Sequence, residues 1–75
     1  MERRALVVDD ALEFRELVAR ILRREGFVIE TASDGIRGVE LARSFRPDVI
    51  VLDLGLPGID GIDACRQIRG FTDAY

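Results

Sequence analysis

The sequence predicts an α/β fold: a three-layer (βα)3 arrangement with a parallel sheet of strand order 2-1-3. Three observations lead there. Two short apolar runs, Ala5-Leu6-Val7-Val8 and Val49-Ile50-Val51-Leu52, have the composition of strands buried on both faces. Between and after them, apolar residues recur at helical spacing. The two patterns alternate along all 75 residues, which implies right-handed crossovers and helices on both faces of one sheet.

Residues 4–9 read as the first strand, Val-rich and without polar alternation. Phe14, Leu17, Val18, Ile21 and Leu22 then form one stripe of an amphipathic helix. Gly26 stops it, and Arg23 and Arg24 sit in the last turn, where the helix dipole favours cations. Phe27 to Ala32 reads as a second strand, at an edge because Glu30 and Thr31 dilute it. Asp34 is placed to cap a second helix with Ile36, Val39, Ala42 and Phe45 on one stripe, ended by Pro47. Residues 49–53 form the third strand. Gly55, Pro57, Gly58 and Gly61 punctuate a loop, and Asp60 is placed to cap a third helix carrying Ile62, Cys65 and Ile68, stopped by Gly70. Phe71 to Tyr75 carry no clear signal. Phe27, Phe45 and Cys65 read as core.

Composition narrows the function. A net charge of −3 argues against nucleic-acid binding by this segment. No apolar run approaches the ~20 residues that span a bilayer. One cysteine cannot form an internal disulfide, so a reducing cytoplasm is the expected compartment. All 11 basic residues are arginine, and histidine is absent, which removes imidazole acid–base chemistry and imidazole metal ligation. The group Arg20, Arg23 and Arg24 reads as a solvated helix end.

Three acids stand out. Asp9 and Asp10 close the first strand and Asp53 closes the third. Taken singly, an aspartate after a strand is ordinarily a turn residue or helix cap, and Asp10 is placed to cap the first helix. Together they are more specific. In a 2-1-3 sheet strands one and three are neighbours, and ligands bind at the carboxyl ends of strands where the order reverses. Carboxylates crowded there repel one another unless a cation compensates them. There is no lysine to do so, and no arginine is evidently aimed at them, which favours a metal. Mg2+ takes oxygen ligands and keeps several waters, so two carboxylates, a backbone carbonyl and water suffice.

The runs Leu6-Val7-Val8-Asp9-Asp10, the following Arg15, and Asp53-Leu54-Gly55-Leu56-Pro57-Gly58-Ile59-Asp60-Gly61 resemble the receiver domain of two-component response regulators, a CheY-like, flavodoxin-like fold. The last run is most similar to receivers of transcription factors with winged-helix output domains. The resemblance implies that Asp53 accepts a phosphoryl group from a sensor histidine kinase. It implies that Asp9, Asp10, Asp53 and the Gly55 backbone carbonyl hold Mg2+. Pro57 and the glycines would shape the loop over the site, while Asp60 and Gly61 start the third helix.

A receiver of this family has five strands and five helices, with a Ser/Thr after strand four and a Lys after strand five that read out phosphorylation. Residues 1–75 are therefore expected to be a partial receiver domain, β1 to α3, in which switching is lost. No lysine is present, and Thr72 precedes the expected fourth strand. Strand 49–53 should then be an exposed edge open to self-association, and part of the stripe Phe14/Leu17/Ile21 should face solvent or a partner. The second reading is a non-switching interaction fragment. A third, an Asp-nucleophile phosphatase, ranks last because its Asp-x-Asp spacing is missing after the first strand.

Overall fold

The computed structural model describes residues 2–56 and 61–75. The elements are β1 (Arg3–Val8), α1 (Leu12–Arg24), β2 (Phe27–Ala32), α2 (Gly35–Ser44), β3 (Val49–Leu52) and α3 (Gly61–Arg69). The strands form one parallel sheet in the order β2-β1-β3, as expected. Ala5 pairs with Ile29 on one side and Val49 on the other; Val8 pairs with Ala32 and Leu52. The strands stop short of their expected ends, so Asp9 and Asp53 lie just beyond them.

β1 is central and is the strand buried on both faces: Ala5, Leu6, Val7 and Val8 are all fully buried. Alternation sends Leu6 and Val8 to one face, where they pack with Ala32, Leu41, Ala42, Leu56 and Ile68 under α2 and α3. Ala5 and Val7 face the other way, toward α1 and its buried Ala19. β2 alternates between half-buried and exposed residues, as an edge strand with one solvated face does. Reciprocal bonds pin the start of β3 to β1: Asp48 N–H donates to Arg4 O at 2.7 Å, and Arg4 N–H donates to Asp48 Oδ2 at 2.9 Å.

Asp34 caps α2 as expected, its Oδ1 accepting from Arg37 N–H at 2.8 Å. Gly26 follows α1 at φ 93°, the left-handed stop a glycine adopts freely. Asp10, in contrast, does not cap α1: the N-cap is Ala11, with no side-chain bond. The Asp60 cap and the loop role of Pro57 and Gly58 fall outside the described residues.

Side-chain placement departs from the expected stripes in two helices. α2 buries Gly35, Gly38, Leu41 and Ala42 and exposes Ile36; α3 buries Gly61, Ala64 and Ile68 and exposes Ile62 and Cys65. Both helices lie close to their neighbours, so small residues take the contact line and larger ones rotate outward. At Gly38 a Cβ would stand 2.9 Å from Val8 Cγ1. Phe27 and Phe45 are only half-buried; Arg3 and Arg4 lie over their rings at 4.5 and 5.8 Å.

The stripe of α1 is open: Leu12, Phe14, Leu17 and Ile21 are each about half exposed or more. The β3 edge is less open than expected. Tyr75 N–H donates to Asp48 O at 3.0 Å and its carbonyl accepts from Ile50 N–H at 2.8 Å, so the unassigned tail lies along the first half of that edge. Alternation leaves Leu52's backbone groups on the same side, beyond Tyr75.

Candidate functional site

The apolar strands deliver the acids. β1 and β3 run side by side with Val8 opposite Leu52, so the residues that follow them emerge together. Asp53 N–H donates to Val8 O at 2.9 Å and Asp9 N–H to Ala32 O at 3.1 Å, carrying the sheet ladder one step past the strands. Asp9, Asp10 and Asp53 each place a carboxylate oxygen within 4.8 Å of the others.

Their environments differ. Asp9 is buried, Asp53 half-buried and Asp10 exposed. Asp9 Oδ1 accepts from Ala11 N–H at 2.9 Å, which closes a tight turn into α1. Asp53 Oδ1 accepts from Gly55 N–H at 3.0 Å in a similar turn. Gly55 thus meets Asp53 through its amide. A donor set made only of oxygens, rooted on a buried carboxylate and open on the Asp10 side, suits a hard divalent cation that keeps part of its water shell.

Two residues matter more here than the sequence indicated. No arginine was expected at the acids, yet Arg15 Nη1 donates to the Asp9 backbone carbonyl at 2.9 Å. Its Nε is buried without a hydrogen-bond partner among the described residues. The guanidinium thus grips the acidic turn rather than a carboxylate. The available signal was position, since Arg15 stands one turn into α1 on the side of the strand ends. The second is Gly61. Its N–H donates to Leu54 O at 2.9 Å, and a Cβ there would overlap Leu54 Cα and lie 2.6 Å from Asp53 O. Only glycine lets α3 press against the backbone that carries Asp53.

Comparison with known proteins places this geometry. The response regulator receiver domain family model matches residues 5–74. The response regulator MprA of Mycobacterium tuberculosis is 44% identical over 73 residues, covering 97% of this chain and 32% of the relative. The DNA-binding response regulator MtrA of Mycolicibacterium paratuberculosis is 45% identical over 69 residues, covering 92% and 31%. The chain therefore spans about a third of the length of these relatives. Among solved structures, a LuxR-family two-component response regulator from Aurantimonas superimposes with TM-score 0.83 at 38% identity, over 99% of this chain and 54% of that one. CheY in a CheX–CheY complex from Borrelia burgdorferi gives TM-score 0.86 at 32% identity, over 92% and 54%. The acids gathered at the β1 and β3 ends, the 2-1-3 sheet and the match across nearly all of the chain have one explanation: the chain belongs to the response regulator receiver domain family.

Proposed function

We propose that residues 1–75 are the β1–α3 portion of a receiver domain and that Asp53 accepts a phosphoryl group from a sensor histidine kinase with Mg2+. The observation that carries this reading is the convergence of Asp9, Asp10 and Asp53 within 4.8 Å at the ends of adjacent strands. Asp9, Asp10, Asp53 and the Gly55 carbonyl would hold Mg2+. When bound, the ion offsets charge on the transferring group. The Borrelia burgdorferi complex with the similar fold contains Mg2+ and BeF3.

In the transfer, an Asp53 carboxylate oxygen attacks phosphorus in line. The O–P bond forms as the P–N bond of the phosphohistidine breaks, and the imidazole takes the electron pair and a proton. Asp53 Oδ1 is held by the Gly55 amide, so attack falls to Oδ2. Arg15 keeps the Asp9–Asp10 turn in place through the Asp9 carbonyl. The setting is cytoplasmic; no described helix is long and apolar enough to cross a membrane. A DNA-binding output domain is the expected companion in a longer protein, since MtrA is a DNA-binding regulator.

Acetyl phosphate with Mg2+, read by intact mass, tests the reading. A phosphoryl adduct forms on the chain and is lost in Asp53→Asn. An adduct that survives in Asp53→Asn refutes the assignment. The open α1 stripe and the uncovered Leu52 end of the 49–53 edge favour a second reading, a non-switching fragment that self-associates. Sedimentation that shows concentration-dependent dimers and no adduct would select it.

A further inference from the structure

At the end of the sheet opposite the acids the charge reverses. β1 starts with Arg3 and Arg4, and the three helices end in Arg23 and Arg24, in Arg43, and in Arg66 and Arg69. Parallel topology brings all of these to one pole. Between the ends of α2 and α3 lies an open cleft of about 660 Å3, lined by Arg43, Arg46, Arg69, Phe71, Thr72 and Asp73 among others. That volume lies in the range of small-molecule sites, roughly 300–1,000 Å3.

Helix dipoles account for a basic residue in the last turn of α2 and of α3. They do not account for Arg46. It stands past α2 at φ 56°, a left-handed conformation that glycine would adopt without strain. Nor do they account for three arginines lining one cleft. Arg43 is stacked on the Phe71 ring at 4.3 Å, and Arg69 Nη1 donates to Ala74 O at 2.9 Å, so two of the three are braced. None of the three forms an ion pair among the described residues, and Asp73 is the one acid lining the cleft.

We infer that this cleft binds a small oligophosphate, with a diphosphate group as its minimal ligand. Guanidinium forks match phosphate oxygens bidentately, and three around one cleft exceed what a single orthophosphate satisfies. The site is separate from the acids and does not depend on the phosphoacceptor reading.

NMR titration of the 15N-labelled chain with pyrophosphate, ADP and sulfate at constant ionic strength tests it. Pyrophosphate produces saturating shifts at the amides of residues 70–74 and binds about tenfold more tightly than sulfate. ADP saturates the same amides, since it presents the same diphosphate. Arg69→Gln weakens binding about tenfold, as loss of a charge-assisted pair does. Arg46→Gly weakens it similarly while raising the urea midpoint, because glycine relieves the left-handed backbone. Arg20→Gln, on α1, leaves binding unchanged. Non-saturating shifts alike for sulfate and pyrophosphate overturn the site. So does wild-type affinity in both Arg69→Gln and Arg46→Gly.

Discussion

Replacing Gly61 by alanine should damage both the fold and the chemistry, and the size of the effect follows from the contacts. The new Cβ would lie 2.6 Å from Asp53 O and 2.6 Å from the Leu54 carbonyl carbon, and would overlap Leu54 Cα. Ordinary contacts between heavy atoms lie near ~3.5 Å, so the Asp53–Leu54 backbone must move by about 1 Å. The obstacle is backbone on both sides, so no rotamer change relieves it. Overpacking of this kind costs about 1–3 kcal/mol, and the rigid obstacle puts Gly61→Ala at the upper end. Alanine's better helix propensity returns under about 1 kcal/mol at this helix start. The net loss is about 2 kcal/mol, against roughly 4–11 kcal/mol expected for a domain of this size. A shift of about 1 Å at the nucleophile can lower a transfer rate by about 100-fold. Urea unfolding followed by circular dichroism gives the first quantity, and adduct formation from acetyl phosphate gives the second. Gly55→Ala is the control: among the described residues its Cβ would meet only Asp53 Oδ1, at 3.8 Å, so stability should stay within about 0.5 kcal/mol. Gly61→Ala with wild-type stability and wild-type adduct formation would refute the reasoning.

Three further outcomes are expected. Asp10→Asn removes one of three like charges whose oxygens lie within 4.8 Å. Without divalent cation it should raise stability by up to about 1 kcal/mol in thermal or urea unfolding, less in high salt, and Mg2+ should no longer add stability. Val8→Ala should cost about 2 kcal/mol at a fully buried site, and Gly38→Ala about 1 kcal/mol through its 2.9 Å approach to Val8. The double variant should cost less than the sum by at least about 0.5 kcal/mol; strict additivity would deny the contact. Asp34→Ala removes the α2 cap and should cost about 1 kcal/mol in urea unfolding, whereas Asp34→Asn, which keeps an acceptor oxygen, should cost much less.

Much of the fold was legible in the sequence because composition and topology agree. Ala5–Val8 can only be a central strand, Glu30 and Thr31 demote β2 to an edge, and strand order then brings Asp9, Asp10 and Asp53 together. What escaped was governed by close approach. Cys65 and Ile62 belong to an apolar stripe by spacing, yet α3 turns Gly61 and Ala64 inward because it packs near a neighbouring backbone. The same holds for Ile36 and Gly38 on α2. Hydrophobic periodicity ranks residues by polarity and so misses contact lines made of glycine and alanine. Arg15 escaped for another reason: its partner is a backbone carbonyl, which leaves no trace in side-chain pattern. Tyr75 likewise meets β3 through main-chain hydrogen bonds.

The central position of β1 has a consequence for synthesis. Of the three strands it is made first and is the most buried, yet its partners follow much later: residue 5 pairs with residues 29 and 49. No hairpin can shield it meanwhile, because every pairing in the sheet is parallel. At ~5–20 residues per second, Ala5–Val8 waits on the order of seconds for β3 to be made. During that interval a nascent chain carries an unpaired apolar strand, the kind of segment that chaperones bind and that aggregates when crowded.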